Sequence, residues 1–72
     1  MAHCFIRKNT EELRQRLKDN FIRQNDFDKD DGPWLAYNHG LYISVYPGHE
    51  RLFPDDIDCG EDEELFIKTI KR

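Results

Sequence analysis

Long apolar runs are missing from this 72-residue chain. No stretch approaches the roughly 18 consecutive apolar residues of a membrane-spanning helix, and no apolar signal-like segment sits near the amino terminus. A cytoplasmic protein with no membrane partner is the expectation. Cysteine is scarce. Cys4 and Cys59 allow at most one disulfide, a thin framework for a secreted mini-domain, so both thiols are expected to be free and to pack as small apolar residues. The glycines, Gly32, Gly40, Gly48 and Gly60, lie far apart, which excludes a glycine-rich phosphate loop and leaves each with a turn or cap role.

A chain this short holds one domain and buries only roughly 60% of its unfolded surface. It has little core to spare for an enclosed active site. Charged residues make up 36% and hydrophobic residues 38% of the chain, a balance that leans towards disorder. Leu, Ile, Val and Phe nevertheless supply 18 residues, a share above the disorder range, and Trp34 and three tyrosines add buriable area. The expectation is a folded domain, residues 1–72, with a thin core.

Charge falls in blocks. The net charge is −4, but residues 1–25 carry +3, residues 26–64 carry −10 and residues 65–72 carry +3. The acids gather in two knots: Asp26, Asp28, Asp30 and Asp31, then Asp55, Asp56, Asp58 and Glu61 to Glu64. Such knots serve as solvated loops and helix starts, or as a surface for a basic partner.

Periodicity orders the elements. Residues 2–7 read as a strand with Cys4 and Ile6 on one face and His3 and Phe5 on the other. A helix follows, with Asn9 as N-cap, Glu12 in capping-box position, and Leu13, Leu17 and Phe21 forming one stripe. Arg14, Arg16, Lys18 and Arg23 lie off that stripe and give a basic outer face. Residues 25–33 read as a loop under which Phe27 tucks. Residues 34–37 and 41–46 form a hairpin around Asn38-His39-Gly40, with Gly40 left-handed. That register puts Leu35, Tyr37, Leu41, Ile43 and Val45 inside and Trp34, Tyr42, Ser44 and Tyr46 outside; a two-residue turn would shift the first strand by one and bring Trp34 inside.

Pro47-Gly48 suits a type II turn, and residues 51–53 a short extra strand. A second helix starts near Gly60, capped by Asp58 or Gly60, with Leu65, Phe66 and Ile70 inward and Lys68, Lys71 and Arg72 at its end. The fold class is therefore α+β: a small antiparallel sheet with a β-hairpin, in strand-helix-hairpin-helix order, with a helix packed on one face.

Three segments carry a resemblance. The start from His3 to Leu13 (His-Cys-Phe-Ile-Arg-Lys-Asn-Thr-Glu-Glu-Leu), the segment Tyr42-Ile43-Ser44-Val45-Tyr46, and Asp58-Cys59-Gly60 followed by Glu63-Glu64-Leu65-Phe66 are similar to those of a family of small uncharacterised bacterial proteins. The resemblance covers about half of the chain. It implies an autonomous small bacterial domain and no particular activity.

The residues do not assemble a recognisable reaction centre. Asp26-x-Asp28-x-Asp30-Asp31-Gly32 nearly spells a calcium loop, but Asp31 occupies the glycine position and Tyr37 the essential glutamate position. The possible zinc donors His3, Cys4, His39, His49 and Cys59 lack paired spacing. Acids crowd Cys59 and oppose a thiolate, and Ser44 has no strained turn or His–Asp pairing. No cofactor, no metal and no enzymatic activity are expected. What remains is binding. The leading expectation is a protein-interaction module that uses Trp34, Tyr42 and Tyr46 on the outer hairpin face or Asp55, Asp56 and Asp58 in the acidic segment. The alternative is nucleic-acid binding through the basic face of the first helix, against which the net acidity weighs. The sequence assigns no oligomeric state.

Overall fold

The structure is a computed structural model that describes residues 3–71. Ala2, expected in the first strand, and Arg72, expected at the end of the last helix, lie outside the described residues. The elements follow in the order β1 (Cys4–Ile6), α1 (Glu11–Asp19), β2 (Arg23–Gln24), β3 (Trp34–Asn38), β4 (Leu41–Val45), a 3₁₀ turn (His49–Arg51), β5 (Ile57–Asp58) and α2 (Glu63–Ile70). The class is α+β. The strands form one sheet in the order β2-β4-β3-β1-β5. β3 runs antiparallel to β1 and β4, whereas β2 pairs parallel with β4 and β5 parallel with β1. The sheet is thus mixed where an antiparallel one was expected. The two added edge strands have two residues each, too short to carry an alternating pattern.

Thr10, one residue after the expected Asn9, caps α1: its hydroxyl accepts from the Leu13 amide at 3.1 Å. The capping box lapses with that shift, because Leu13 now holds the third helical position. Asn9 ties the helix start to the loop instead. Its amide donates to the Gly32 carbonyl at 2.6 Å and its oxygen accepts from Arg14.

The hairpin turn is tighter than expected. Asn38 pairs with Leu41 and Tyr37 with Tyr42, which leaves His39 and Gly40 as a two-residue turn at φ +53° and +82°. Positive φ at both positions is the type I′ arrangement, which matches the twist of paired strands and suits Gly40. The one-residue change turns β4 over relative to β3. Leu35, Tyr37 and Tyr42 therefore share the face that packs with Leu13 and Leu17 of α1 and Phe66, Ile67 and Ile70 of α2. Ala36 and Val45 lie on the opposite face with Phe5, and Trp34 and Ile43 pack against them. Tyr42 is thus inside, and Ile43 and Val45 belong to the other side.

That second face is not bare, since Phe5, Ala36 and Val45 are all buried. Chain topology explains it. The β1-α1-β2 connection and the β4-to-β5 connection both join parallel strands but cross the sheet in opposite directions. Right-handed crossovers running in opposite directions lie on opposite faces. The rule sends residues 46–56 across the face away from the helices, where the Glu50 charge acts on Arg7 and the Arg7 guanidinium lies 4.6 Å from the Trp34 ring centre.

Within that crossover, Tyr46 to His49 form the expected type II turn, with the His49 amide donating to the Tyr46 carbonyl at 3.1 Å and Gly48 at φ +100°. Residues 51–53, expected as a strand, close the 3₁₀ turn instead, with Leu52 bonded back to His49 at 2.8 Å. Asp62, two residues beyond the nearer expected cap, caps α2 by accepting from the Leu65 amide at 3.0 Å. Ile67 and Thr69 join Phe66 and Ile70 inside, and Leu65, expected inward, is exposed.

The loop between β2 and β3 is anchored by polar contacts. Phe27, expected to tuck under it, is 89% exposed. Asp28 takes over the anchoring role, accepting from Ser44 Oγ at 2.6 Å, Gln24 Nε2 at 2.9 Å and the Asp30 amide at 2.9 Å. Burial pushes the Asp28 carboxyl up, but these hydrogen bonds outweigh it and hold it below its ordinary range. Gly32 then lies against β4 so closely that a Cβ there would stand 2.6 Å from the Val45 backbone nitrogen and oxygen.

Candidate functional site

The structure separates the residues expected to bind. Tyr42 is 1% exposed beneath the helices and presents nothing to a partner. Trp34 is half-buried, stacked on Phe5 with ring centres 6.0 Å apart and lidded by Arg7. Tyr46 is exposed, with its ring edge against His49. Trp34, Tyr42 and Tyr46 therefore do not form one aromatic patch. In the acidic segment Asp58 accepts three hydrogen bonds from the Arg7 guanidinium, at 2.7, 3.1 and 3.3 Å, and one from the Gly60 amide at 2.8 Å. The Arg7 contact holds its carboxyl below the ordinary range. Asp56 accepts from Asn38 at 3.5 Å. Asp55 alone of the three is exposed without a partner among the described residues.

The charge blocks pair with each other inside the fold. Arg7 meets Asp58, Lys8 meets Glu63, Arg14 meets Asp30, and Arg16 meets Glu63 and Glu64. Arg14 and Arg16, half of the basic outer face of α1, are thereby engaged by Asp30 of the loop and by Glu63 and Glu64 of α2. Among the described residues, Lys18, Arg23, Lys29, Arg51, Lys68 and Lys71 have no ion-pair partner.

Three of these, Lys18, Arg23 and Lys71, gather at one corner, around Phe21. α1 ends in a Schellman motif. The Phe21 amide donates to the Lys18 carbonyl at 3.0 Å and the Ile22 amide to the Leu17 carbonyl at 2.9 Å. Ile22 then packs into the core beside Leu17, the apolar contact that accompanies this motif. Phe21 occupies the left-handed position at φ +63° and is 93% exposed. It forms a ridge between two open grooves. One, of about 520 Å³, is lined by Lys18, Phe21, Ile22, Arg23 and Gln24. The other, of about 320 Å³, runs between Phe21, Ile22, Tyr37, Ile70 and Lys71 at the hairpin end.

Sequence reasoning placed Phe21 in the buried stripe because it lies four residues after Leu17. The signal against this was present: Asp19-Asn20 precedes it, and both are weak helix formers that favour helix ends. Once the helix stops there, the next residue that can rejoin the core is Ile22.

The thiols are free and buried. Burial, then the neighbouring Cys59, pushes the Cys4 thiol up to about 12, and burial likewise raises Cys59. Both stay protonated and weakly nucleophilic at neutral pH. The His3 and His39 rings meet edge-on, 4.7 Å between centres. Among the described residues, no group of three or more His, Cys, Asp and Glu side chains is placed to hold a metal ion, and no helix is long and apolar enough to cross a membrane. No protein-family model, curated protein or solved structure matches this chain.

Proposed function

We propose that this chain is a small, non-catalytic, cytoplasmic protein-interaction module that docks a partner protein through the grooved corner around Phe21. One observation carries the reading: Phe21 holds a left-handed backbone conformation while almost wholly exposed. A side-chain-bearing residue costs roughly 1–2 kcal/mol in that region relative to the right-handed one. Burying a phenylalanine would return about 1.5–3 kcal/mol, and Phe21 forgoes that as well. Folding stability gives no reason for this ring at this place. A partner surface that covers it does, because outliers of this kind gather at functional sites and exposed aromatics anchor interfaces.

The test is affinity capture of the tagged chain from its native lysate, with and without nuclease, using the wild type, Phe21→Ser and Tyr46→Ser. A stoichiometric protein partner held by the wild type and Tyr46→Ser but lost from Phe21→Ser is the expected result. A partner that Phe21→Ser retains would remove the corner from the interface. Capture that depends on nucleic acid would instead favour the basic-face reading.

A further inference from the structure

We propose that the segment docked at the Phe21 corner is an acidic peptide stretch of another protein carrying an apolar anchor residue. This rests on the docking reading above and adds the partner's chemistry. The argument is charge complementarity. The fold engages Arg7, Lys8, Arg14 and Arg16 with its own carboxylates; of the six described cations left without an ion pair, Lys18 and Arg23 line one groove and Lys71 the other, while Lys29, Arg51 and Lys68 lie outside both grooves. In a chain of net charge −4, a corner whose lining cations are all unpaired is a local reversal of the overall field. It attracts negative segments and repels positive ones.

The floor between those cations is apolar. Ile22 is shared by both grooves, and Phe21 stands between them with Ile70 and the Tyr37 ring beyond. A purely anionic ligand would leave that floor uncovered. A segment that sets a leucine or phenylalanine against Phe21 and spreads carboxylates towards Lys18, Arg23 and Lys71 satisfies both features. Single-stranded nucleic acid would meet the same cations, but its unbroken run of phosphates must also pass Asp19 and Asp26, whereas a peptide can place its few carboxylates only opposite the cations. A second copy would have to offer its own acidic strip, where Asp58 is held by Arg7 and Asp56 by Asn38, which leaves Asp55 alone of the three without a partner among the described residues.

The experiment is an NMR titration of the whole chain with defined probes. They are a short peptide with leucine and phenylalanine flanked by glutamates, its counterparts with lysine or serine in place of glutamate, and an oligothymidine. The acidic peptide is expected to bind saturably, with shifts centred on Phe21, Ile22, Arg23 and Ile70, and to bind more tightly than the serine and lysine peptides. The triple variant Lys18→Glu/Arg23→Glu/Lys71→Glu changes surface positions only and is expected to weaken the acidic peptide about tenfold while leaving the serine peptide unaffected. Equal binding of the three peptides would overturn the acidic specificity and leave the docking corner standing. No response at Phe21 to any peptide would overturn both. Stronger binding of the oligothymidine, or concentration-dependent shifts at Phe21 without any probe, would replace the acidic peptide with nucleic acid or with a second copy.

Discussion

Replacing Phe21 by glycine separates the demands of folding from those of binding. The residue sits at φ +63° just past α1, the position where helices most often place glycine. Removing the side chain relieves roughly 1–2 kcal/mol of left-handed cost, and the freer unfolded glycine chain takes back about 0.5–1 kcal/mol. Almost no burial is lost, because the ring is 93% exposed. The expected net effect of Phe21→Gly is a stabilisation of about 0.5–1 kcal/mol. In a domain of this size that raises the melting temperature by roughly 2–8 °C. Phe21→Ala is the control, since it removes the ring but keeps a Cβ in the left-handed region. It should melt close to the wild type, so that the glycine-minus-alanine difference reads the backbone cost by itself. Thermal and urea denaturation followed by circular dichroism measure both variants. If Phe21→Gly is less stable than the wild type by about 1 kcal/mol or more, the ring packs on its grooves to support the fold, and the case for an exposed docking ridge fails.

Three further outcomes follow from the packing. Gly32→Ala places a Cβ 2.6 Å from the Val45 backbone, where neither side can yield cheaply, so it should destabilise by about 1–3 kcal/mol in urea melts; a neutral result would mean that the loop does not lie on β4. Tyr42 Oη is buried with no hydrogen-bond partner among the described residues, so Tyr42→Phe should leave stability unchanged or raise it by up to about 1 kcal/mol, and a loss of that size would reveal a bonded hydroxyl. The Cys4 thiol, lifted from its ordinary 9.0 to about 12, adds stability that is complete below about pH 9 and is lost as pH rises towards 12. Denaturation at stepped alkaline pH should show a fall of up to about 1.4 kcal/mol per pH unit from this group over that window, and Cys4→Ala should make the profile shallower, the remainder belonging to Cys59 and Tyr42, which burial also raises.

Elements with a strong pattern or a local signal were legible in the sequence. β1, both helices, the hairpin and the type II turn all fell near their expected places because alternation, helical spacing and Pro-Gly chemistry act over a few residues. The edge strands β2 and β5 were hidden, since two residues show no period and their pairing with β4 and β1 is set by the crossovers. The candidate site suffered from two one-residue decisions. Counting the hairpin turn as three residues turned Tyr42 outward, and extending the α1 stripe by one more turn put Phe21 inside. In each case the element was right and the face was wrong, and for a binding surface the face is what matters.

The charge blocks were visible in the sequence, but their consequence depends on the fold. A basic start, an acidic middle and a basic end invite a reading as separate contact surfaces. The topology brings the first block against the second: Arg7 reaches Asp58 across 51 residues of chain and Lys8 reaches Glu63 across 55. Exposed pairs of this kind add little stability each, but they cancel charge where they form. The surface field that a partner meets is what is left over, here the cations around Phe21, Lys29, Arg51 and Lys68 elsewhere, and acids such as Asp55. Salt weakens the internal pairs and any docking through the remaining cations together. A loss of binding at high ionic strength therefore counts for the Phe21 corner only if the fold, measured at the same salt, stays intact and the uncharged serine peptide keeps its affinity.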